Sequence, residues 1–170
     1  RYATENSKNL GITTMSQYVE DSALSAAGRF GRLSFLAWNC LLSLGLAVLI
    51  AIIAVVAPNL LLELGSGSMG IGMILLVIIY IVAFYFSFIF TIRRLHDRNH
   101  TGWLSLLILV PLVNIILGLY LVFAPGDDRQ NSYGAVRETA SWEKVLAWIF
   151  IVLMILAIIG SFSAGIFSNL

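Results

Sequence analysis

Four long apolar runs alternate with short polar or charged stretches along the chain. They cover residues 33–57, 71–92, 103–123 and 145–167. Each run reaches the roughly 20 residues that an α-helix needs to cross a hydrocarbon core about 30 Å thick. The runs are continuous rather than alternating, and backbone groups in lipid must be bonded within their own segment, so helix is favoured over strand. The pattern predicts an all-α integral membrane protein with a bundle of three or four transmembrane helices.

The third run has two possible courses, because Pro111 and Asn114 interrupt it and proline kinks or breaks a helix. A kinked but complete crossing leaves Arg129, Arg137 and Lys144 on the side opposite the other basic residues. A re-entrant segment that turns back at Pro111–Asn114 keeps all 10 Lys and Arg on one side. Re-entrant segments are rare and need protein around their broken backbone. Base rates favour the crossing and the charge pattern favours re-entry.

The arginines also predict how the bundle is oriented. Arg29 and Arg32 precede the first run, the connection 58–70 has no Lys or Arg, and the connection 93–100 has three arginines. Positive residues concentrate in cytoplasmic loops, so the N-terminus and residues 93–100 are expected in the cytoplasm. Residues 1–28 are then a cytoplasmic or interfacial segment, with a short surface helix over 14–27, and residues 29–170 form the transmembrane domain.

Composition agrees with the membrane assignment and narrows the function. Hydrophobic residues make up 59% of the 170 residues and charged residues 11%, against about a quarter charged in soluble domains. The net charge of +1 implies no general attraction to nucleic acid, and the single Cys40 excludes a disulfide framework. None of the four runs contains Asp, Glu, Lys or Arg, which argues against a proton- or ion-coupled transporter. No cofactor is expected.

Three motifs carry a resemblance to a known family: GRFGRLSFLAWN at 28–39, RRLHDRNHTGW at 93–103 and PGDDRQNSYG at 125–134. In this order they resemble the bacterial domain of unknown function 805 (DUF805) family of small inner-membrane proteins. The resemblance implies a bacterial inner-membrane location and no particular activity. The chain departs from the family pattern at Phe35, at residues 98–100 and by adding a fourth apolar run after the last motif.

The charged residues of these motifs are the candidate site. Guanidinium groups suit phosphates, and the set is expected at headgroup depth, which predicts contact with phospholipid headgroups or a partner protein. The candidate residues are Arg29, Arg32, Arg93, Arg94, His96, Asp97 and Arg98. The plainer interpretation is a topology anchor in which Asp97 pairs with an arginine. If the third run re-enters, Arg29 and Arg32 are expected to meet the turn Asp127–Asp128; otherwise these flanks are independent and solvated.

Metal binding and catalysis have weaker support in the same loop. His96 and His100 are four residues apart, as a metal-binding pair on a helix would be, but the three neighbouring arginines oppose a cation. No metal site is therefore expected. His96 and Asp97 have no nucleophile with a visible partner beside them, so no catalytic residue is assigned.

Small and amide side chains mark faces for helix packing. Small residues recur at every fourth position in the first and last runs and let helices approach closely. They are Ser43, Ala47 and Ala51, then Ala157, Ser161 and Gly165. These stripes fit packing within the chain or docking against another membrane protein. Asn39 and Asn114 place amides inside lipid, where each needs a hydrogen-bond partner.

Together these features favour a non-enzymatic inner-membrane protein, an accessory or lipid-contacting subunit that docks on a larger membrane assembly. Its expected partners are phospholipids and either another integral membrane protein or a second copy. A small transporter or channel-like protein is the alternative. A lipid-modifying enzyme that uses the loop at His96 and Asp97 is a further one.

Overall fold

The computed structural model describes residue 22, residues 24–66 and residues 70–167. Its helices are α1 Arg32–Val56, α2 Pro58–Ser66, α3 Ile71–Asp97, a 3₁₀ helix Gly102–Leu109, α4 Pro111–Phe123 and α5 Ser141–Phe167. Three of them, α1, α3 and α5, are long and apolar enough to cross a membrane. The predicted all-α membrane bundle is confirmed. The predicted surface helix over 14–27 lies mostly outside the described residues, and residues 24–27 form a turn.

The structure differs from the prediction in one connection and at the end of one helix. The connection 58–70 contains the short helix α2, which starts at Pro58; proline suits a first helical position, where no N–H is needed. Helix α3 continues to Asp97, so the Arg-Arg-Leu-His-Asp motif forms its last turns rather than a loop. The helix ends where Asn99 adopts a positive φ of 55° and the His100 N–H bonds back to the Leu95 carbonyl.

The third apolar run folds back on itself. The 3₁₀ helix leads away from the end of α3, the chain turns at Val110 and Pro111, and α4 returns. At the end of α4, the Leu121 carbonyl accepts a hydrogen bond from Arg94 of α3 at 2.8 Å. Both ends of the run therefore lie at the same end of α3, and the re-entrant alternative is correct. The kinked crossing is wrong because a run that crossed would place its two ends at opposite ends of α3, and neither half alone, with 8 and 13 residues, spans a core about 30 Å thick.

The core lies at the end of the bundle that carries the arginines, which we call the charged end. One buried cluster joins Phe30, Ile89 and Phe90, and the other two join α1 to α5 and α3 to α4. Farther along the spans, large apolar side chains are exposed, as expected where lipid is the solvent. The bundle is therefore held together chiefly at the charged end.

Five of the six stripe residues do not pack inside the described part of the chain. Ser43, Ala47, Ala51, Ala157 and Ser161 are all exposed. The exposure of the sixth, Gly165, lies outside what the structure describes. Docking against another chain remains the available interpretation of these faces, and it stays a prediction.

Single-cysteine labelling tests the re-entrant course in a membrane. In a Cys40→Ala background, Gln130→Cys and Asn59→Cys place one thiol at each end of the bundle, both at exposed positions. We expect an impermeant maleimide to label the two positions from opposite sides of the membrane, because the chain between residues 59 and 130 crosses the membrane only once, through α3. Detergent-solubilised protein, in which both thiols must react, is the control. Labelling from the same side would contradict the re-entrant fold.

Candidate functional site: a buried arginine and aspartate cluster

A carboxylate held between two guanidinium groups lies at the centre of the charged end. Asp97 is 4% exposed, Arg29 is 1% and Arg94 is 0%. The Asp97 Oδ1 atom accepts hydrogen bonds from Arg29 Nε at 3.1 Å and Nη2 at 3.0 Å, and Oδ2 accepts one from Arg94 Nη1. Such charge-assisted bonds are about twice as strong as neutral ones. We call these three residues the Asp97 cluster.

Arg29 fastens the third motif to the end of α3. Its Nη1 atom donates to the Arg129 carbonyl at 2.7 Å and the Gly134 carbonyl at 3.2 Å, and Nη2 donates to the Asp127 carbonyl at 2.5 Å. Together with the bonds to Asp97, these contacts occupy the five N–H donors of the guanidinium group. Arg29 meets the turn at 127–128 as expected, but through backbone oxygen rather than carboxylate, whereas Arg32 bonds to the Phe123 carbonyl instead.

Arg94 fastens the re-entrant hairpin. It donates to the carbonyls of Leu121 at 2.8 Å and of Ala124, and to that of Phe30 at 3.3 Å. The last carbonyls of a helix have no partner within the helix, and a buried cation at that end satisfies them and opposes the helix dipole. Arg94 therefore closes α4 and holds it against α3.

Arg93 fastens the segment before α1. Its guanidinium carbon lies 4.0 Å from the centre of the Phe30 ring, a cation–π contact. The same side chain donates to the carbonyls of Ser22 at 2.6 Å and Ser25 at 3.3 Å. Each buried arginine thus holds a different segment, while Asp97 is shared by two of them.

Glycines of the motifs allow the chain to approach this closely. Gly28 has a φ of 84°, a left-handed conformation that side chains rarely adopt. A Cβ atom on Gly126 would overlap the carboxylate of Asp97. Beside it, the Asp127 N–H donates to the Asp97 carbonyl at 2.8 Å, and the Asn131 amide donates to the His96 carbonyl at 2.8 Å. The third motif therefore caps the end of α3.

A second buried carboxylate joins α5 to α1 and was missed from the sequence. Glu143 is fully buried and accepts two hydrogen bonds from Arg137, at 2.8 and 2.9 Å. Trp38 Nε1 and Ser34 Oγ donate to the same carboxylate at 2.8 and 2.9 Å. Helix α5 begins at Ser141 and carries Glu143 in its first turn. The available signal was Arg137 six residues earlier, with Ser34 and Trp38 on one face of α1.

His96 and His100 bind different partners. The His96 ring stacks on Tyr133 with ring centres 3.8 Å apart, and its Nδ1 atom is 3.3 Å from the Gly28 carbonyl. His100 Nε2 is 2.8 Å from the Tyr120 hydroxyl. Among the described residues, no group of three His, Cys, Asp or Glu could hold a metal ion. His96 also borders a cleft of about 350 Å³, which opens beside the 3₁₀ helix and is lined by Ile92, Gly102, Trp103, Leu106 and Tyr133.

The seven candidate residues divide by exposure. Arg29, Arg93, Arg94 and Asp97 are buried, which is inconsistent with direct headgroup contact in this structure and agrees with the plainer pairing interpretation. His96 and Arg98 are half-buried, and Arg98 donates to the Tyr120 hydroxyl at 3.0 Å. Only Arg32 is exposed, with one long hydrogen bond of 3.5 Å to the Phe123 carbonyl. The structure adds two exposed cations at this end, Arg129 and Lys144.

Neutralising the central carboxylate is expected to destabilise the bundle. Asp97→Asn leaves two buried guanidinium groups without their counter-charge, and breaking a buried ion pair in this way costs about 3 kcal/mol or more. The free energy of unfolding in mixed micelles measures the loss. Asp128→Asn removes the same charge from an exposed side chain and is expected to change that free energy by less than about 0.5 kcal/mol. Equal effects of the two variants would contradict a structural role for Asp97.

A single methyl group at Gly126 is expected to displace Asp97. Gly126→Ala introduces a Cβ atom into the space of the carboxylate, and such overpacking costs about 1–3 kcal/mol. Gly45→Ala is the matched control, because nothing lies within 4 Å of its Cβ position and alanine is the better helix former. The same unfolding measurement should show a loss for Gly126→Ala and no loss for Gly45→Ala. A neutral Gly126→Ala would show that the third motif does not press on Asp97.

Comparison with known proteins identifies the region that carries this site. Residues 23–135 match the family described as protein of unknown function DUF805. No curated protein and no solved structure matches the chain. The matched range holds all three motifs and the whole Asp97 cluster, whereas Glu143 and α5 follow it. Because the match covers well over half of the 170 residues, this membrane protein belongs to the DUF805 family.

Proposed function

We propose that the protein is a non-enzymatic protein of the bacterial inner membrane that contacts phospholipid headgroups and docks as an accessory subunit on a larger membrane assembly. The observation that carries the proposal is the division of its charges at one end of the bundle. Asp97 and three arginines are buried and bonded within the chain, while Arg32, Arg129 and Lys144 remain exposed. The exposed cations, which we call the basic rim, are the part of the charged end open to a ligand.

The distribution of basic residues supports a cytoplasmic charged end. Every Lys and Arg among the described residues lies at this end: Arg29, Arg32, Arg93, Arg94, Arg98, Arg129, Arg137 and Lys144. The opposite connection, residues 58–70, contains none. Because positive residues concentrate on the cytoplasmic side, this asymmetry favours an N-terminus in the cytoplasm.

The basic rim fits the anionic surface of a cytoplasmic leaflet. Each Lys or Arg near such a surface contributes about 1 kcal/mol of attraction. Trp103, beside the His96 cleft, is 77% exposed at the same end, and tryptophan favours the interface between lipid and water. The rim and Trp103 together favour phospholipid headgroups as the ligand.

The contacts of His96 and Asp97 weigh against the lipid-modifying enzyme. Both Asp97 carboxylate oxygens accept hydrogen bonds from arginines. A general base must reach the proton that it takes from a substrate, and a 4% exposed carboxylate enclosed in this way is poorly placed to do so. The His96 ring is stacked on Tyr133 and bonded to the backbone of Gly28. These contacts support a scaffold for this pair.

Removal of the basic rim is expected to release bound anionic lipid. The triple variant Arg32→Gln, Arg129→Gln, Lys144→Gln removes three contributions of about 1 kcal/mol each, so its affinity for phosphatidylglycerol should fall about a hundredfold. Titration of nanodisc-embedded protein with this lipid in a phosphatidylcholine background, read by native mass spectrometry, measures the change. The double variant Asp128→Asn, Glu138→Gln removes exposed carboxylates instead and should not weaken binding.

Native mass spectrometry of protein extracted gently from its own membrane tests the docking part of the proposal. A species heavier than the 18.7 kDa chain by the mass of a different polypeptide supports an accessory role. Extraction that yields only this chain and lipid contradicts that role. Unchanged phosphatidylglycerol affinity in the rim variant contradicts the headgroup role independently.

A further inference from the structure

Asn114 presents an amide on the apolar surface of the re-entrant hairpin. It lies in the first turn of α4, where its backbone N–H bonds to the Val110 carbonyl at 2.7 Å. The side chain is exposed. Its neighbours Leu112, Ile115 and Ile116 are 77%, 63% and 67% exposed. The amide is therefore a polar group on an otherwise apolar helix face.

The depth of Asn114 follows from the geometry of α4. The helix ends at Phe123, whose carbonyl receives the hydrogen bond from Arg32 at the charged end. Asn114 precedes Phe123 by nine residues, or about 14 Å along a helix axis. Half of a hydrocarbon core is about 15 Å. A hairpin that enters from the headgroup region therefore carries this amide close to the middle of the bilayer.

Lipid offers this amide nothing to bond with. An asparagine side chain has two N–H donors and a carbonyl acceptor, and within the described part of the chain none of these groups on Asn114 has a hydrogen-bond partner. Asn39 differs, because its amide donates to the Phe35 carbonyl of its own helix at 2.8 Å. Amides in transmembrane segments bond across helices for this reason. Asn114 thus requires a partner beyond the residues that the structure describes.

Gly118 leaves an open space beside the amide, which we call the notch, and this space gives a second helix room to approach. Gly118 lies one turn after Asn114 on the same face of α4. Nothing lies within 4 Å of the position that a Cβ atom on Gly118 would take. Small residues at such positions let the backbones of two membrane helices come close, which is where amide bonds between helices form.

We propose that Asn114 and Gly118 form the interface between two copies of this chain, with the two α4 helices packed across a two-fold axis. A residue at such an axis meets its own equivalent. An amide is suited to this because it donates and accepts, so two facing Asn114 side chains satisfy each other. Helix α4 carries no charged residue, so pairing two copies of it brings no like charges together. Each hairpin also supplies the protein surroundings that the broken backbone of the other needs.

Dilution in lipid tests the proposal. Cys40→Ala, Gln130→Cys protein is labelled with donor or acceptor dye and reconstituted at increasing ratios of lipid to protein, with energy transfer as the measure of association. We expect a dimer whose dissociation constant rises about tenfold in Asn114→Leu and stays near the original value in Asn114→Gln. Gly118→Leu should weaken the dimer as well, because it fills the notch. Both positions face away from the core, so the fold is expected to survive, as the free energy of unfolding will show.

One variant on α5 and one on α1 serve as matched controls. Ser163→Ala removes an exposed hydroxyl that already donates to the Gly160 carbonyl at 2.9 Å. Gly45→Leu adds bulk where nothing lies within 4 Å. Neither should affect association. A monomer at every dilution, a dimer insensitive to Asn114→Leu and Gly118→Leu, or a dimer broken by Gly45→Leu would overturn the proposal. Stable association of Asn114 with a different polypeptide in place of a second copy would overturn it too. These outcomes are independent of lipid binding by the basic rim.

Discussion

The buried carboxylate of Asp97 is the contact through which the charged end is organised. Transfer of a charge out of water is costly unless it is paired and its remaining hydrogen-bonding groups are satisfied. Here one aspartate receives bonds from both Arg29 and Arg94, and both arginines also donate to backbone oxygens. The charged end of the bundle therefore has a buried polar core, in which charged side chains bond to the backbone at the ends of chain segments.

This construction explains how one short region holds so many segments. Arg94 closes α4, Arg29 holds the third motif, and Arg93 holds residues before α1. Glu143 repeats the device for α5, because Arg137, Trp38 and Ser34 all donate to it. Farther into the membrane the helices expose large apolar side chains, and lipid takes the place of a protein core. The hydrogen bonds at the charged end fix the positions of the spans at that end.

Hydropathy predicted the spans because the requirement for about 20 apolar residues is a property of each segment by itself. The re-entrant turn was less accessible, since Pro111 permits either a kink or a reversal. Charge asymmetry favoured the reversal and proved correct. The burial of individual arginines could not be predicted, because Arg94 is buried and Arg32 is exposed only through the segments that pack against each of them in the folded chain. Glu143 was missed for the same reason, since its partners on α1 lie more than 100 residues away.

The family range and the structural unit do not coincide, and this difference is informative. Residues 23–135 contain the Asp97 cluster, the hairpin and two spans, so the shared motifs describe a framework that positions α1, α3 and α4. Helix α5 is added through Arg137 and Glu143, outside that range. Within the framework, the buried charges of Arg29, Arg94 and Asp97 are bonded within the chain, while the Asn114 amide on α4 has no hydrogen-bond partner among the described residues. A hydrogen-bonding requirement left open in this way is met most directly by association, so the hairpin is the part of the framework where contact with another chain should be sought.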